Sequence, residues 1–400
     1  MKNSNLTIEE IISFIRDRFQ TPFDPIILHD PRFIGNERKY LNDAMDSNFV
    51  SSVGEYVNRF EQAIAAYTGS KYAVAAVNGT AALHISLLLA GVQQGDEVIT
   101  QPVSFVATCN AISYTNSSPV FIDVSKTTMG MCPEKLEHFL KHNSIKKADG
   151  FSYNTQSGKR FGAVVPMHTF GHPCEIDQIA AICEQYNIPL IEDAAESIGS
   201  LYKNKHTGLW GKLSCLSFNG NKVITTGGGG MILTQDEQLA KLAKHITTTA
   251  KIPHKWEYRH DMTAYNYRLT NLAAALGLGQ IEQCEFFIQE KRKLAEQYAN
   301  FFQSQSDIQF FHEPPHARSN YWLNAVILNN QTDRDQFLTE TNDNGIMTRP
   351  IWVLNNKLEM YQHCQTADLT NSEWLEERVV NIPSSVIITN YYDNLKKMAH

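Results

Sequence analysis

The feature that most constrains this chain is a regular alternation of short apolar runs with helical stretches, which begins at about Val53. Buried strands are predicted at residues 72–77, 97–100, 119–124, 161–167 and 188–192, with helices at 80–90, 103–114 and 176–186 between them. Such alternation requires right-handed β-α-β crossovers, so we expect an α/β fold with a mostly parallel sheet flanked by helices. Ligands of such sheets bind beyond the carboxyl ends of the strands, so the residues that follow each strand are the candidates for function.

The pattern changes after about Thr270, and the change predicts a division of the chain into three parts. Residues 271–298 read as one long helix or two joined helices, and the remainder mixes strands (321–328 and 346–350) with helices (334–344 and 372–379). Near the start, Thr7 and Glu10 form a capping box for a helix that ends at Phe19. We therefore predict an N-terminal helical extension (1–30), a large domain (31–270) and a smaller α+β domain (271–400).

Charge and cysteine content exclude several classes of protein. The net charge is −7, from 35 basic and 42 acidic residues, which does not favour a nucleic-acid-binding protein. The seven cysteines are scattered and form no C-x-x-C pair, so neither a disulfide framework nor a metal site is expected. No apolar run is long enough for a signal peptide or a membrane span. These features predict a cytoplasmic protein without metal or membrane partners.

The segment Ser217-Phe218-Asn219-Gly220-Asn221-Lys222 precedes four glycines at 227–230 and lies between two apolar runs. A lysine turned inward in such a loop loses part of its preference for the charged form and becomes a nucleophile toward an aldehyde. A solvent-exposed loop lysine is the common alternative. The glycines lack the order of a phosphate-binding P-loop, so close backbone packing near a ligand is the favoured interpretation.

Two further segments follow predicted strands. Asp193 ends an apolar strand and precedes two alanines, so its carboxylate could hold a pyridine nitrogen in the protonated state. The alternative is an aspartate that caps the next helical turn. Gly79 and Thr80 open a helix, where free backbone N–H groups and the helix dipole favour a phosphate. A simple helix cap is the alternative there.

Together these motifs resemble the DegT/DnrJ/EryC1 family of sugar aminotransferases. Matching stretches are Gly-Thr at 79–80, Glu-Asp-Ala-Ala at 192–195, Ser217 to Lys222, and residues 95–99, 105–108, 119–123, 265–268 and 381–384. The resemblance covers nearly the whole chain from about Asp30. It implies a fold-type I, aspartate-aminotransferase-like architecture, pyridoxal 5′-phosphate as cofactor, and a homodimer with active sites at the subunit interface.

The resemblance also assigns roles to individual residues. It implies that Lys222 is the catalytic lysine that forms a Schiff base with the cofactor, and that Asp193 contacts the pyridine nitrogen. Gly79, Thr80 and Ser217 are expected to hold the cofactor phosphate.

The remaining assignments concern residues around the cofactor ring. The resemblance implies that Asn266 reaches the phosphate of the other subunit, that Phe105 stacks on the ring, and that Glu196 lies near the 3′ oxygen. His168 is expected near the cofactor face, with a structural histidine as the alternative. This chain departs from the family pattern twice, because Asn78 stands where Ser is usual and Glu196 where Gln or His is usual.

Residues 218–222, Gly54 and the N-terminal helix resemble the LegC-type subgroup. That resemblance implies amino transfer from L-glutamate to the C4 ketone of UDP-2-acetamido-2,6-dideoxy-4-keto-hexose, for bacillosamine, legionaminic acid or surface polysaccharide synthesis. The alternatives are GDP-4-keto-6-deoxymannose, a dTDP-keto-sugar, or a non-catalytic regulatory protein. A dehydratase of this fold would carry histidine in place of Lys222. Arg349 and Trp352 are candidate substrate contacts, with a surface arginine and a packed tryptophan as the alternative.

Overall fold

The computed structural model describes residues 6–20, 24–388 and Tyr391 of the chain. Its helices are α1 (Ile8–Phe19), α2 (Glu37–Asp46), α3 (Glu55–Thr68), α4 (Gly79–Ala90), α5 (Ala107–Tyr114), α6 (Pro133–Asn143), α7 (Ile176–Tyr186), α8 (Glu237–Thr247), α9 (Asn271–Ile281), α10 (Cys284–Phe302), α11 (Gln331–Asp343) and α12 (Thr370–Glu376). Its strands are β1 (Tyr72–Ala76), β2 (Glu97–Thr100), β3 (Ser118–Phe121), β4 (Ser144–Lys146), β5 (Ser152–Asn154), β6 (Phe161–Val165), β7 (Ile191–Asp193), β8 (Leu201–Tyr202), β9 (Lys205–His206), β10 (Leu213–Ser217), β11 (Gly230–Thr234), β12 (Lys251–Ile252), β13 (Arg259–His260), β14 (Ile308–Phe310), β15 (Ala317–Arg318), β16 (Asn324–Leu328), β17 (Arg349–Pro350) and β18 (Val379–Ile382). Single 3-10 turns occupy Thr169–Gly171, Asn355–Lys357 and Glu359–Tyr361.

The central sheet is mostly parallel, as the sequence predicts. One group of strands has the order β3-β2-β6 and the other β7-β10-β11-β1. Parallel bridges from Val164 to Leu190 and from Met167 to Asp193 join the two groups. In this arrangement β11 alone is antiparallel to its neighbours β10 and β1, so β1, β7 and β10 end at the same edge.

Both faces of this sheet are buried because the strand side chains alternate between two cores. On β1, Ala73 and Ala75 face one core, whereas Val74 and Ala76 face the other. Helices α4 and α8 cover the second core, and α3 and α9 cover the first. Within the described ranges, no helix is both long and apolar enough to cross a bilayer.

The smaller sheet, β14-β16-β18-β17, is antiparallel and packs against α10, α11 and the N-terminal helix α1. Helix α1 begins at the predicted capping box, in which the Thr7 hydroxyl accepts from the Glu10 N–H and the Glu10 carboxylate accepts from the Thr7 N–H. Its residues Ile11 and Ile15 lie in the core of the smaller sheet. Helix α1 is therefore packed on the C-terminal part of the chain.

The packing of α9 differs from the predicted boundary at residue 270. Helix α9 packs against α2 and α3, and its side chains Ala274 and Leu278 belong to the large core. Helix α10 starts in that core at Cys284 and ends in the smaller core at Phe302. We therefore propose that the smaller domain begins within α10 instead of at residue 271.

One predicted strand is shorter than expected for a reason that affects the site. The apolar run 321–328 predicts a strand throughout, but β16 begins only at Asn324. Upstream, Tyr321 has a φ of 47°, and the side chain of Asn320 accepts from the Trp322 N–H at 2.8 Å. This bend turns Asn320 toward the loop that follows β7 and Trp322 toward the loop that follows β10.

Candidate active site

Three of the predicted functional segments meet at one edge of the central sheet. Strand β1 leads into the start of α4, β7 ends at Asp193, and β10 ends at Ser217 before the loop that carries Lys222. Asp193 is in register with Cys215 on β10, two residues before Ser217. The carboxyl edge therefore carries a helix start, a carboxylate and an amine.

The start of α4 has the features of an anion site. The Asn78 side chain caps the helix by accepting from the Ala81 N–H at 2.7 Å. Among the described residues, no hydrogen bond takes the N–H of Gly79 or Thr80. A Cβ on Gly79 would lie 2.9 Å from the Cβ of Ser217, so the Ser217 hydroxyl stands beside these open amides. This cradle suits a phosphate.

The end of the glycine run makes this arrangement possible. A Cβ on Gly230 would lie 2.4 Å from the carbonyl oxygen of Asn78, so only glycine lets β11 approach the start of α4 this closely. The structure thus supports close backbone packing beside a ligand site, which was the favoured interpretation of the glycines.

The Asp193 carboxylate is buried and held in a fixed orientation. Its Oδ2 accepts from the hydroxyl of Thr108 at 2.7 Å, and its Oδ1 accepts from the Ala195 N–H at 3.1 Å. The Thr108 hydroxyl also lies 2.7 Å from the hydroxyl of Ser104. The local capping bond that was the alternative for Asp193 is therefore present. Thr108 is a site residue that sequence reasoning did not single out, although it lies within the matching stretch 105–108.

The Lys222 side chain turns inward and is only 13% exposed. Its Nζ lies 3.1 Å from Oε1 of Glu196 and 3.7 Å from the ring centroid of Trp322. The Trp322 indole N–H donates to the carbonyl of Asn221 at 2.6 Å, which fixes the ring against the lysine loop. The alternative of a solvent-exposed loop lysine does not describe this geometry. Trp322 was missed because it comes from a segment one hundred positions later.

The Glu196 carboxylate is completely enclosed. Its second oxygen, Oε2, accepts from the backbone N–H of Phe170 at 2.9 Å. Burial raises the pKa of Glu196 to about 7, although Lys222 and the Phe170 N–H oppose that shift. The Asn320 amide donates to the carbonyl of Glu196 at 2.9 Å and holds the backbone of this turn in place.

The His168 ring lies in a separate buried contact. Its Nδ1 accepts from the Cys174 N–H at 3.2 Å, so the proton of a neutral ring is on Nε2, 3.0 Å from Glu192. The backbone of His168 does touch the site, because its N–H donates to the Asp193 carbonyl at 3.2 Å. These contacts support the structural alternative for the ring, and a cofactor contact by His168 stays a prediction.

Two predicted cofactor residues are exposed near this edge. The Phe105 side chain, at the turn before α5, is 54% exposed and leaves a ring face open to a ligand. Asn266 is exposed between Tyr265 and Tyr267, and the Tyr267 carbonyl accepts from the Val77 N–H at 2.7 Å, directly before Asn78. The contact of Asn266 with the phosphate of another subunit stays a prediction.

The two predicted substrate contacts behave differently. The exposed Arg349 guanidinium donates to the side chain of Asn342 at 3.0 Å and to the carbonyl of Thr348 at 2.8 Å. No contact brings Arg349 to the Lys222 cluster among the residues that the structure describes. The Trp352 ring packs on the ring of Phe170, with 5.0 Å between ring centroids. Because the Phe170 N–H donates to Glu196, Trp352 contacts the site through Phe170.

Comparison with known proteins assigns the chain to a family. The model of the DegT/DnrJ/EryC1/StrS aminotransferase family matches residues 32–392. The GDP-perosamine synthase of Escherichia coli O157:H7 is 34% identical over 365 residues, covering 91% of this chain and 94% of that protein. EpsN of Bacillus subtilis (strain 168), provisionally named as a pyridoxal phosphate-dependent aminotransferase, is 35% identical and covers 91% and 92% of the two chains.

Solved structures show the same architecture. Helicobacter pylori PseC, an aminotransferase involved in the biosynthesis of pseudoaminic acid, superposes with a TM-score of 0.83 at 23% identity, over 93% of this chain and 97% of that one. This similarity confirms the predicted aminotransferase fold. The LegC-type subgroup stays a prediction. The chain belongs to the DegT/DnrJ/EryC1/StrS aminotransferase family, and it is a transaminase that depends on pyridoxal 5′-phosphate, as the sequence predicted.

Proposed function

We propose that this enzyme transfers the amino group of L-glutamate to the ketone of a nucleotide-linked 4-keto-6-deoxy sugar. The observation that carries the proposal is the position of Lys222, whose amine is enclosed by Glu196 and Trp322 at the sheet edge that also carries Asp193. A non-catalytic regulatory protein would have no use for an inward-facing amine in such a setting.

The residues at this edge fit pyridoxal phosphate. The open amides of Gly79 and Thr80, with the Ser217 hydroxyl beside them, would hold the phosphate, and the Asp193 carboxylate would hold the pyridine nitrogen. When bound, the cofactor supplies an aldehyde carbon and a ring that spreads the negative charge developed on the substrate carbon. Thr108 keeps the Asp193 carboxylate aimed, because its hydroxyl donates to Oδ2.

Lys222 has two roles in this proposal. Its amine would be the group that holds the cofactor covalently, and with L-glutamate bound Nζ would act as the base and acid that moves a proton at the reacting carbon. The indole of Trp322 limits its mobility and excludes water from one side.

The other predicted roles form part of the same proposal. Phe105 offers its exposed ring face for stacking on the cofactor, and Glu196 lies beside the amine that bonds to it. In a homodimer, the exposed Asn266 would contact the phosphate in the partner subunit's site. We propose that His168 supports the strand end through Glu192 and the Asp193 backbone.

The relatives favour a GDP-linked substrate. GDP-perosamine synthases of Escherichia coli O157:H7 and Vibrio cholerae are 34% and 35% identical to this chain and cover at least 90% of it. GDP-4-keto-6-deoxymannose is therefore our first candidate substrate. Gly54, one basis of the LegC-type prediction, has a packing explanation, since its missing Cβ would lie 2.2 Å from the Asn271 side chain. The UDP-2-acetamido-4-keto-hexose remains the second candidate, supported by residues 218–222.

Two measurements test the proposal. Borohydride treatment of the yellow holoenzyme, followed by peptide mass spectrometry, should place the cofactor on Lys222. Lys222→Ala should lose both the colour and transamination, whereas the control Lys135→Ala, which breaks the pair of this α6 lysine with Asp368, should keep both. A label on another lysine, or normal turnover by Lys222→Ala, contradicts the assignment.

The substrate is tested by a panel of GDP-, UDP- and dTDP-linked keto sugars with L-glutamate as donor. We expect the highest kcat/KM with GDP-4-keto-6-deoxymannose. Turnover confined to UDP-linked sugars would reverse the order of the two candidates, and turnover of none would contradict the proposed substrate class.

A further inference from the structure

We propose that Glu196 is the internal proton acceptor of Lys222, so that Oε1 takes the proton that Nζ must lose before the amine can react. The inference rests on the proposed role of Lys222. It assigns Glu196 a catalytic function of its own, in addition to contact with the cofactor.

The contacts of the pair leave one short path for the proton. Nζ and Oε1 are 3.1 Å apart, and the Glu196 side chain is only 1% exposed. Nζ also lies over the ring of Trp322, which has no acceptor for a full proton. The other oxygen of Glu196 is occupied by the Phe170 N–H, so Oε1 is the oxygen that is open to Lys222.

The neighbouring charges are consistent with this direction of transfer. The charged groups that face Glu196 are Lys222, which stabilises the carboxylate, and Asp193, which repels it. His29 lies near Lys222; burial and the nearby Lys291, Arg32 and Lys222 hold its pKa well below its usual value, so its ring is neutral. Among the described residues, the carboxylate in hydrogen-bond contact with Nζ is that of Glu196, and no such contact joins Nζ to Asp193.

The transfer conserves charge and requires no solvent. The Nζ–H bond breaks as the Oε1–H bond forms, so an ammonium–carboxylate pair becomes an amine–carboxylic acid pair. A dry environment disfavours the two charges more than the two neutral groups. Substrate that covers the site would therefore drive the proton onto Glu196 and release the amine at the moment when it is needed.

The ionisation of Glu196 matches this task. Burial raises the pKa of the carboxyl to about 7, with Asp193 adding to the shift and Lys222 opposing it. A solvated glutamate is a far weaker base, with a pKa of 4.5, and would return the proton to the amine. General bases act best when their pKa lies near the working pH.

The test is the pH dependence of kcat for the holoenzyme and its Glu196→Gln variant. In the wild type, Glu196 must be ionised to accept a proton, so kcat should fall on the acid side with a midpoint near pH 7. In Glu196→Gln this acid-side fall in kcat, the acid limb of the pH profile, should disappear, and the maximal kcat should be lower by about 100-fold. Glu196→Asp retains a carboxylate and should retain the limb, and Glu61→Gln, which breaks a Lys244 pair outside the site, should match the wild type.

A second readout does not depend on turnover. Acylation of Lys222 in the full chain without added cofactor, followed by mass spectrometry across pH, reports when its amine is neutral. Glu196→Gln should shift the labelling midpoint to lower pH, because the ammonium loses the carboxylate that stabilises it. A merely structural role would lower kcat equally at all pH values and leave the labelling midpoint in place.

The outcomes separate this inference from the proposed function. If the borohydride label lies on Lys222 but Glu196→Gln keeps both the acid limb and the labelling midpoint, the proton-acceptor role is wrong and the transaminase assignment stands. If Glu196→Gln does not fold, loss of the acid limb in a folded Glu196→Asp would equally overturn the proposal. A borohydride label on a different lysine overturns the proposed role of Lys222, and the inference about Glu196 falls with it.

Discussion

Two buried carboxylates, four positions apart in the same strand-end segment, are held in opposite ways. Glu192 accepts from the N–H groups of Gly208, Trp210 and Gly211 at 2.6–2.8 Å and also from His168. Burial alone would raise its pKa, but these hydrogen bonds outweigh burial and lower it.

Glu196 is equally enclosed, yet its partners are only the Phe170 N–H and the Lys222 amine. Burial dominates there and raises its pKa to about 7. The comparison teaches that the number of fixed donors decides what a buried carboxylate does. Glu192, with four donors, keeps its negative charge as a permanent part of the fold. Glu196 has one backbone donor and the Lys222 amine, so its carboxylate is available for proton transfer.

The largest expected effect comes from breaking the Glu192 site. Glu192→Gln removes the charge and points an amide group at backbone donors, which leaves at least one of the Gly208, Trp210 and Gly211 N–H groups unpaired. We expect a loss of about 3–5 kcal/mol in the free energy of unfolding, because one partner of a buried charged network is removed. Urea unfolding of the variant measures this directly.

The matched comparison for Glu192→Gln is Glu196→Gln. It changes the two hydrogen bonds of Glu196, whereas Glu192→Gln changes four. Its loss of stability at neutral pH should be clearly smaller than that of Glu192→Gln. Equal losses for the two variants would show that donor number does not distinguish the carboxylates.

The second effect is a pH dependence that belongs to Glu196 alone. Its pKa is raised from the usual 4.5 to about 7 in the folded chain, so between these pH values the folded state holds a proton that the unfolded state has lost. Stability contributed by this group is therefore lost as pH rises through that window, by about 3 kcal/mol.

Unfolding curves of the wild type and Glu196→Gln, taken at intervals from pH 4.5 to 8, test this expectation. The variant lacks the titrating group, so its stability relative to the wild type should increase with pH. Glu192 has a lowered pKa and contributes with the opposite sign, since its stabilisation is lost as pH falls. Parallel curves for the wild type and Glu196→Gln would contradict the raised pKa.

Local pattern was sufficient to predict the sheet edge and the residues attached to it. The alternation of strands and helices places Gly79, Asp193 and Lys222 directly after strands, and parallel strands end at one edge. The capping box at Thr7 was equally readable, because it depends on residues three positions apart.

What sequence reasoning missed depends on contacts between distant segments. Thr108 reaches Asp193 across 85 positions, and the Trp322 indole reaches the Asn221 carbonyl across 101. No periodicity encodes such pairs. The proposed shift of the domain boundary into α10 has a similar reason, because a helix pattern shows which face is apolar but not which domain covers it.

The smallest effect concerns the ring of Trp322, the second neighbour of the Lys222 amine. His168 is held at both ring nitrogens, whereas Lys222 is held by one carboxylate and by the face of Trp322. Trp322→Phe keeps an aromatic ring but deletes the indole N–H that donates to Asn221 at 2.6 Å. The lost hydrogen bond should cost about 1 kcal/mol, and kcat should fall by about 5-fold if that energy fixes Lys222 in its reactive position.

The control is Trp374→Phe, because Lys126 lies 4.2 Å from the Trp374 ring in a lysine–tryptophan contact outside the site. That variant should keep the wild-type kcat. An unchanged kcat in Trp322→Phe, with the same loss of stability, would mean that the indole supports the fold alone. In that case the position of Lys222 would depend on Glu196 only, and the contrast between the two buried carboxylates would account for the reactivity of the site by itself.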